Sequence, residues 1–168
     1  MSREIILLSK PHQTVLVSCK GTFDMMGKSK NVDNLITVDW HMPSSIEPPL
    51  YLISIGRKRF SLNLIKQTKV FAVNFMPHGF EKQVMFCGEN SGMKTDKYSE
   101  TGLTPLECES IDCKMVKEAS AVIECEVIND FETGDHIVFV GKVLKTHSFK
   151  EGKRILHIGG NEFTTTMR

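Results

Sequence analysis

The chain is 168 residues long, and its 21 lysines and arginines almost balance its 20 aspartates and glutamates, leaving a formal charge of +1 at pH 7. That length closes one hydrophobic core and hardly two, so a single domain over 1–168 is expected to carry everything. The charge balance removes any global field that would favour nucleic acid or an anionic membrane, so any anion site has to be local.

At the start, the apolar run from Ile5 to Leu8 is too short for a signal-peptide core, and nothing approaches a membrane span. Five cysteines, an odd number, are scattered without the framework of a secreted mini-domain. A cytoplasmic, reducing setting is the expectation. Short runs rich in valine, isoleucine and threonine, bounded by glycine, proline, asparagine or aspartate, predict strands at 14–20, 34–40, 50–55, 70–75, 119–128, 136–147 and 154–158. Two stretches are predicted to be helical, 61–67 and 80–86, with a weaker turn after Lys94. Strands this close together, with only brief helices between, predict a mainly β, closed or partly closed barrel, because closure removes exposed edges. A doubly wound sheet would need a longer helix after each strand.

Along the chain, Gly21 to Ser29 nearly spells a phosphate-binding loop, but Thr22 stands where glycine is required, so a turn is expected. The segment from Thr37 to Pro49 reads as a strand running into a loop, where Thr37, Ser44 and Ser45 could satisfy a polyol or ring edge and Pro48-Pro49 fixes the exit. Trp40 is expected in the core or at a subunit contact. Arg57-Lys58-Arg59-Phe60-Ser61 sets three cations directly before a predicted helix capped by Ser61. Free N–H groups, the helix dipole, a hydroxyl and guanidinium groups together favour a phosphate monoester. The same residues also fit a solvated basic turn with an ordinary cap. Cys87 to Lys97 is a polar, glycine-punctuated loop that could wrap a ligand or be a plain surface turn. Cys87 is the one cysteine in a polar setting and so the one to watch for reactivity; no spacing predicts zinc. The turn Gly134-Asp135-His136 places an ionisable pair at the mouth of a long apolar strand. No serine–histidine–acid or paired-carboxylate set stands out for hydrolysis.

In order along the chain, 34–40, Ser44-Ser45 to Pro48-Pro49, Arg59-Phe60-Ser61 before Leu64-Ile65, Phe71-Ala72-Val73-Asn74, the loop from Cys87 to Lys97 and the GDH-x(4)-G element at 134–141 resemble the flavin reductase-like, FMN-binding split-barrel family, in its flavoredoxin-type branch. The resemblance covers about 11–160. It implies a Greek-key split β-barrel with a few short helices, paired as a homodimer, with FMN in a groove near the subunit interface. Carried over, Thr37, Val38, Asp39, Ser44 and Ser45 would meet the isoalloxazine edge and ribityl chain. Arg59 and Ser61, with Lys58, would hold the phosphate; Ser91, Gly92 and Lys97 would close over the flavin; and His136 would lie near its reactive face as the catalytic candidate. Three consecutive cations leave open which one reaches the phosphate. The implied activity is an FMN-dependent oxidoreductase of the NAD(P)H:flavin reductase kind, and the alternative is an electron-transfer module reduced by a protein partner. No G-x-G-x-x-G fingerprint is present, but a barrel of this type would not need one.

Overall fold

Every residue from Thr14 to Cys19 is buried. An apolar run of that kind belongs to a strand covered on both faces. The computed structural model describes residues 2–25 and 27–167. Its elements are α1 (Ser2–Leu8), β1 (His12–Gln13), β2 (Val15–Met25), β3 (Lys28–Val38), β4 (His41–Ser45), β5 (Leu50–Gly56), α2 (Phe60–Thr68), β6 (Val70–Phe75), α3 (Glu81–Glu89), α4 (Lys97–Thr101), β7 (Pro105–Glu107), β8 (Lys114–Val116), β9 (Ala121–Thr133), β10 (His136–Ser148), β11 (Ile155–Gly159) and β12 (Glu162–Thr165).

Seven strands form the main sheet in the order β3-β2-β6-β9-β10-β5-β4. Each neighbouring pair is antiparallel. The pairs β2–β6 and β10–β5 are not consecutive in the chain, which gives the crossovers of a Greek key. One core cluster combines Val15, Val17 and Cys19 of β2 with Ile36 and Val38 of β3, Ile53 and Ile55 of β5, Phe71 and Val73 of β6, and Ile137 and Phe139 of β10. Strands near opposite ends of the sheet order thus meet in one interior, so the sheet curls into a split barrel, with Leu62, Leu64 and Ile65 of α2 packed against the same interior. The alternate residues point the other way. Leu16, Leu35, Ala72 and Val122 form a second cluster with Val84 and Cys87 of α3, Tyr98 of α4 and Met115 and Val116 of β8. Two apolar layers on one sheet explain why the first half of β2, Val15 to Cys19, is buried on both faces.

The GDH-x(4)-G element has a packing cause at each end. Gly134 takes a positive φ of 59° in the two-residue turn that pairs Thr133 with His136. A Cβ on Gly141 would stand 2.5 Å from Phe71 Cζ and 2.8 Å from Cys125 Cβ, at a register shift in the β9–β10 ladder.

The mainly β class is as expected, and the strand at 70–75 is reproduced to the residue. Several boundaries differ. Most of the stretch 21–29, expected as a turn, is strand: β2 and β3 run on to a tight hairpin at Gly27, so only its tip turns, and Met26 lies outside the described residues. Part of the loop expected after Trp40 is the edge strand β4, which pairs with β5. The helix at 61–67 begins one residue earlier, with Arg59 at the N-cap and no side-chain cap, so Ser61 is not the cap. The turn expected after Lys94 is α4, capped by Asp96, whose carboxylate accepts from the Ser99 N–H at 3.2 Å. Helix α1 and strand β12 were not expected. Among the described residues no helix is long and apolar enough to cross a membrane.

Candidate functional site

Where β5 ends and α2 begins, the chain delivers Lys58, Arg59 and Ser61 to one wall of a small cleft of about 90 Å³. The opposite wall is the end of α3 and the loop after it, with Gly88, Ser91 and Gly92, and Lys97 lies at its base. The three consecutive cations are sorted by their partners. Arg57 is taken by Glu132, at 2.6 Å. Arg59 is exposed and makes one long contact, 3.4 Å, to the Gly88 carbonyl. No protein partner is found for the Lys58 ammonium among the described residues. Lys58 and Arg59 are therefore the cations available to an anion.

Lys97 is 3 % exposed. Its ammonium donates to the carbonyls of Leu35, at 2.6 Å, and Cys87, at 2.7 Å, and among the described residues it meets no carboxylate. Burial pulls its pKa down; the buried thiols of Cys87 and Cys19 oppose this, and Arg59 adds to it. A buried cation with a donor to spare and no counter-ion calls for an anion. Asn34 lies beside the cleft. It donates to Ser61 Oγ at 2.8 Å, while its buried Oδ1, an acceptor, has no partner among the described residues and calls for a donor rather than an anion. Gly92 lies so close that a Cβ there would stand 2.0 Å from that oxygen. The cradle is closed at the backbone level, and a larger residue at 92 would fill it. These residues fit a phosphate group.

The cleft shares Ile36, Arg59, Gly88 and Glu89 with a cavity of about 570 Å³, within the range of about 300–1,000 Å³ usual for small-molecule sites. Thr37, Val38, Asp39 and Trp40 run along it where β3 leaves the barrel, with Gly56 of β5 and His136 of β10 nearby. Thr37 Oγ1 donates to the Val84 carbonyl at 2.5 Å, which ties β3 to α3. His136 Nδ1 meets Asp135 Oδ1 at 2.7 Å, and its ring lies 4.6 Å from Trp40, tilted by 42°. Hydrogen bonding from His136 holds the Asp135 carboxyl below its ordinary range. The other ring nitrogen, Nε2, faces Gly56, where a Cβ would stand 3.6 Å away, and it has no protein partner among the described residues.

Beyond Asp39 the cavity is walled by α1, Lys10 and the β11–β12 hairpin with His157 and Phe163. Asp39 is fully engaged there. Its Oδ2 lies 2.6 Å from Lys10 Nζ and 2.5 Å from His157 Nδ1, and its Oδ1 accepts from Thr14 Oγ1 at 2.7 Å. Burial alone would raise the Asp39 pKa, but the bonds from His157, Lys10 and Thr14 outweigh it and hold the carboxyl below its usual value. The His157 ring stacks on Phe163, with centroids 5.1 Å apart.

The structure thus brings Thr37, Val38, Asp39 and His136 to the cavity, and Lys58, Arg59, Ser61, Ser91, Gly92 and Lys97 to the cleft. Ser44 and Ser45 line neither. They lie on β4, whose pairing with β5 carries them along the sheet edge. Trp40 is 36 % exposed and faces the cavity rather than the core. Cys87 lies on α3, not in a polar loop, and burial pushes its thiol up to about 11, against a reactive thiolate. Asn34, Lys10 and His157 were not singled out in the sequence. None of them carried a signal: Asn34 ends the polar half of β3, just before Leu35, and Lys10 and His157 stand in no motif.

The chain is thus a split barrel with a cavity of about 570 Å³ that adjoins a cleft lined by Lys58, Arg59 and Lys97. The flavin reductase like domain matches residues 8–166, and the chain belongs to that family, the one its sequence resembles. An uncharacterized protein of Archaeoglobus fulgidus is 37 % identical over 142 residues, 79 % of this chain and 80 % of that protein. The NADH-dependent FAD reductase of Streptomyces globisporus is 28 % identical over 116 residues, 69 % of this chain and 63 % of that one. Among solved structures, the NADH:FAD oxidoreductase of Streptomyces globisporus superposes with a TM-score of 0.84 at 20 % identity, over 99 % of this chain and 92 % of that one. The flavoredoxin of Desulfovibrio vulgaris superposes with a TM-score of 0.80 at 20 % identity, over 95 % and 89 %. These superpositions establish the split-barrel fold.

Proposed function

We propose that the protein binds FMN and acts as a flavin oxidoreductase, with the phosphate in the cleft and the ring in the cavity. The observation that carries this reading is the buried ammonium of Lys97, which meets no carboxylate among the described residues, in the same cleft as the exposed guanidinium of Arg59, a residue that also lines the cavity. When bound, the flavin accepts a hydride at N5 and passes electrons on. The chain's own part is to bind, orient and shield. Lys58, Arg59 and the start of α2 neutralise the phosphate. Trp40 and Val38 give the ring an apolar wall, and His136, with Asp135 fixing its Nδ1, turns Nε2 toward whatever approaches from the Gly56 side.

The proposed donor is NAD(P)H, in keeping with the named activity of the Streptomyces globisporus relatives. Reduction by a protein partner is the second possibility, and steady-state turnover with NADH or NADPH separates the two. We also propose a homodimer and one domain over the whole chain. Met42, Ile46 and Phe131, exposed by 56 %, 94 % and 46 %, would supply apolar surface for the pairing. Titrating FMN, FAD and riboflavin against intrinsic and flavin fluorescence tests the ligand. The expected order is FMN tightest, with riboflavin losing the phosphate contribution, and equal affinities would refute the assignment.

A further inference from the structure

Around Asp39 the hydrogen-bond valences do not close with neutral partners. His157 Nε2 lies 3.0 Å from the Gly160 carbonyl, which can only accept, so that nitrogen carries a proton. Nδ1 lies 2.5 Å from Asp39 Oδ2. A bare nitrogen there would set one lone pair against another. Lys10 Nζ stands 2.6 Å from the same oxygen and 2.7 Å from the same Nδ1. Two groups that carry or can carry positive charge thus share one carboxylate oxygen, while Thr14 occupies the other. One proton is in excess. The Lys10 side chain is only 6 % exposed, whereas Asp39 and His157 are 20 % and 21 % exposed, so Lys10 is shielded from bulk water and His157 reaches it.

We propose that Lys10, Asp39 and His157 form a proton relay into the cavity. Lys10 is the donor, His157 reloads it, and Asp39 is the positioning residue that holds the two cations together. The inference rests on the reading of the cavity as a redox site. A hydride from a reduced nicotinamide brings two electrons and leaves the acceptor with one uncompensated negative charge. Lys10 Nζ gives up one proton to neutralise it and becomes an amine. His157 Nδ1 passes its proton to that amine across the 2.7 Å contact, and water reloads the imidazole. The other titratable groups around the relay are His41, which interacts electrostatically with Asp39, His12, opposite His157 in the β1–β11 pair, Glu162, opposite Gly159 in the β11–β12 pair, and His136 on the cavity wall.

The relay is tested first in the flavin-free protein, by following the ring-nitrogen NMR signals of His157 through a pH titration. In Lys10→Met and Asp39→Asn the titration curve is expected to move away from that of the wild type; three superimposable curves would overturn the coupling. The second arm is stopped-flow reduction of bound FMN by NADH or NADPH in ordinary and heavy water. Lys10→Arg keeps the charge but holds its proton too tightly to give it up. It is expected to bind FMN within a few-fold of the wild type while proton delivery slows by on the order of a hundredfold, as for loss of a general acid. The step that slows is the one carrying the solvent isotope effect. An unchanged rate and isotope effect in both Lys10→Arg and His157→Gln would overturn the relay. Failure of the wild type to bind FMN would defeat the flavin reading instead, and the NMR titration would still decide the coupling.

Discussion

Replacing Lys97 with methionine keeps the length and apolar stem of the side chain and removes its charge. In the folded protein the ammonium, 3 % exposed, spends two of its donors on the Leu35 and Cys87 carbonyls at 2.6 and 2.7 Å. Losing those bonds costs about 1 kcal/mol each at buried acceptors. Removing an uncompensated buried charge returns a comparable amount. The stability of Lys97→Met is therefore expected to stay close to that of the wild type. Phosphate affinity is different, because a charge-assisted hydrogen bond is worth about 1.5–3 kcal/mol, or roughly 10- to 150-fold in Kd. The assay is fluorescence titration with FMN and with riboflavin, which lacks the phosphate. FMN is expected to weaken by that factor and riboflavin hardly at all. Equal weakening of both, or no change in either, would refute the placement of the phosphate over Lys97. Should Lys97→Met fold poorly, Arg59→Gln removes an exposed cation without touching the core and makes the same comparison.

Other consequences are equally direct. Arg59→Gln is expected to weaken FMN in proportion to one lost ionic contact and to flatten the salt dependence of binding, read from titrations at low and high ionic strength. Phe139→Ala, at a fully buried site of the barrel interior, is expected to cost about 3–5 kcal/mol in denaturant unfolding. The Asp39 pKa is held below the ordinary aspartate value, so its stabilising contribution is present above about pH 4 and is lost as the pH falls through the folded value. The stability difference between wild type and Asp39→Asn is thus expected to shrink on acidification below about pH 4; a difference constant from pH 6 to pH 2 would contradict the assignment. His136→Ala is expected to leave FMN bound and slow reduction by the donor, and an unchanged hydride-transfer rate would remove His136 from the mechanism.

Much of the barrel was legible because its strands are short runs of β-branched residues with sharp boundaries. Val70–Phe75 is the clearest, set off by Lys69 in the left-handed conformation and by Met76-Pro77. β4 was not legible: His41-Met42-Pro43-Ser44-Ser45 has neither alternation nor β-branched residues, and it becomes a strand only because β5 offers an edge to pair with. The same pairing puts Ser44 and Ser45 on the sheet edge instead of in the loop expected for them. That Lys58, Arg59 and Ser61 stand together was readable in outline, since a cationic run before a helix is a local signal. The sorting of the cations was not. That Arg57 turns to Glu132 depends on a strand pairing between residues far apart in the chain. The relay was the least accessible part. Lys10 and His157 are 147 residues apart and meet only because β1 pairs with β11. Asp39 could be named as a site residue, but not what would hold it.

The claim on which everything else depends is that the cleft and cavity hold FMN. The absorbance spectrum of the purified protein, taken before and after reconstitution with FMN and followed by release and chromatography of the bound ligand, tests it most directly. The expected result is a flavin spectrum with close to one FMN released per chain. A protein that is colourless as purified and leaves the fluorescence of added FMN unquenched would contradict it.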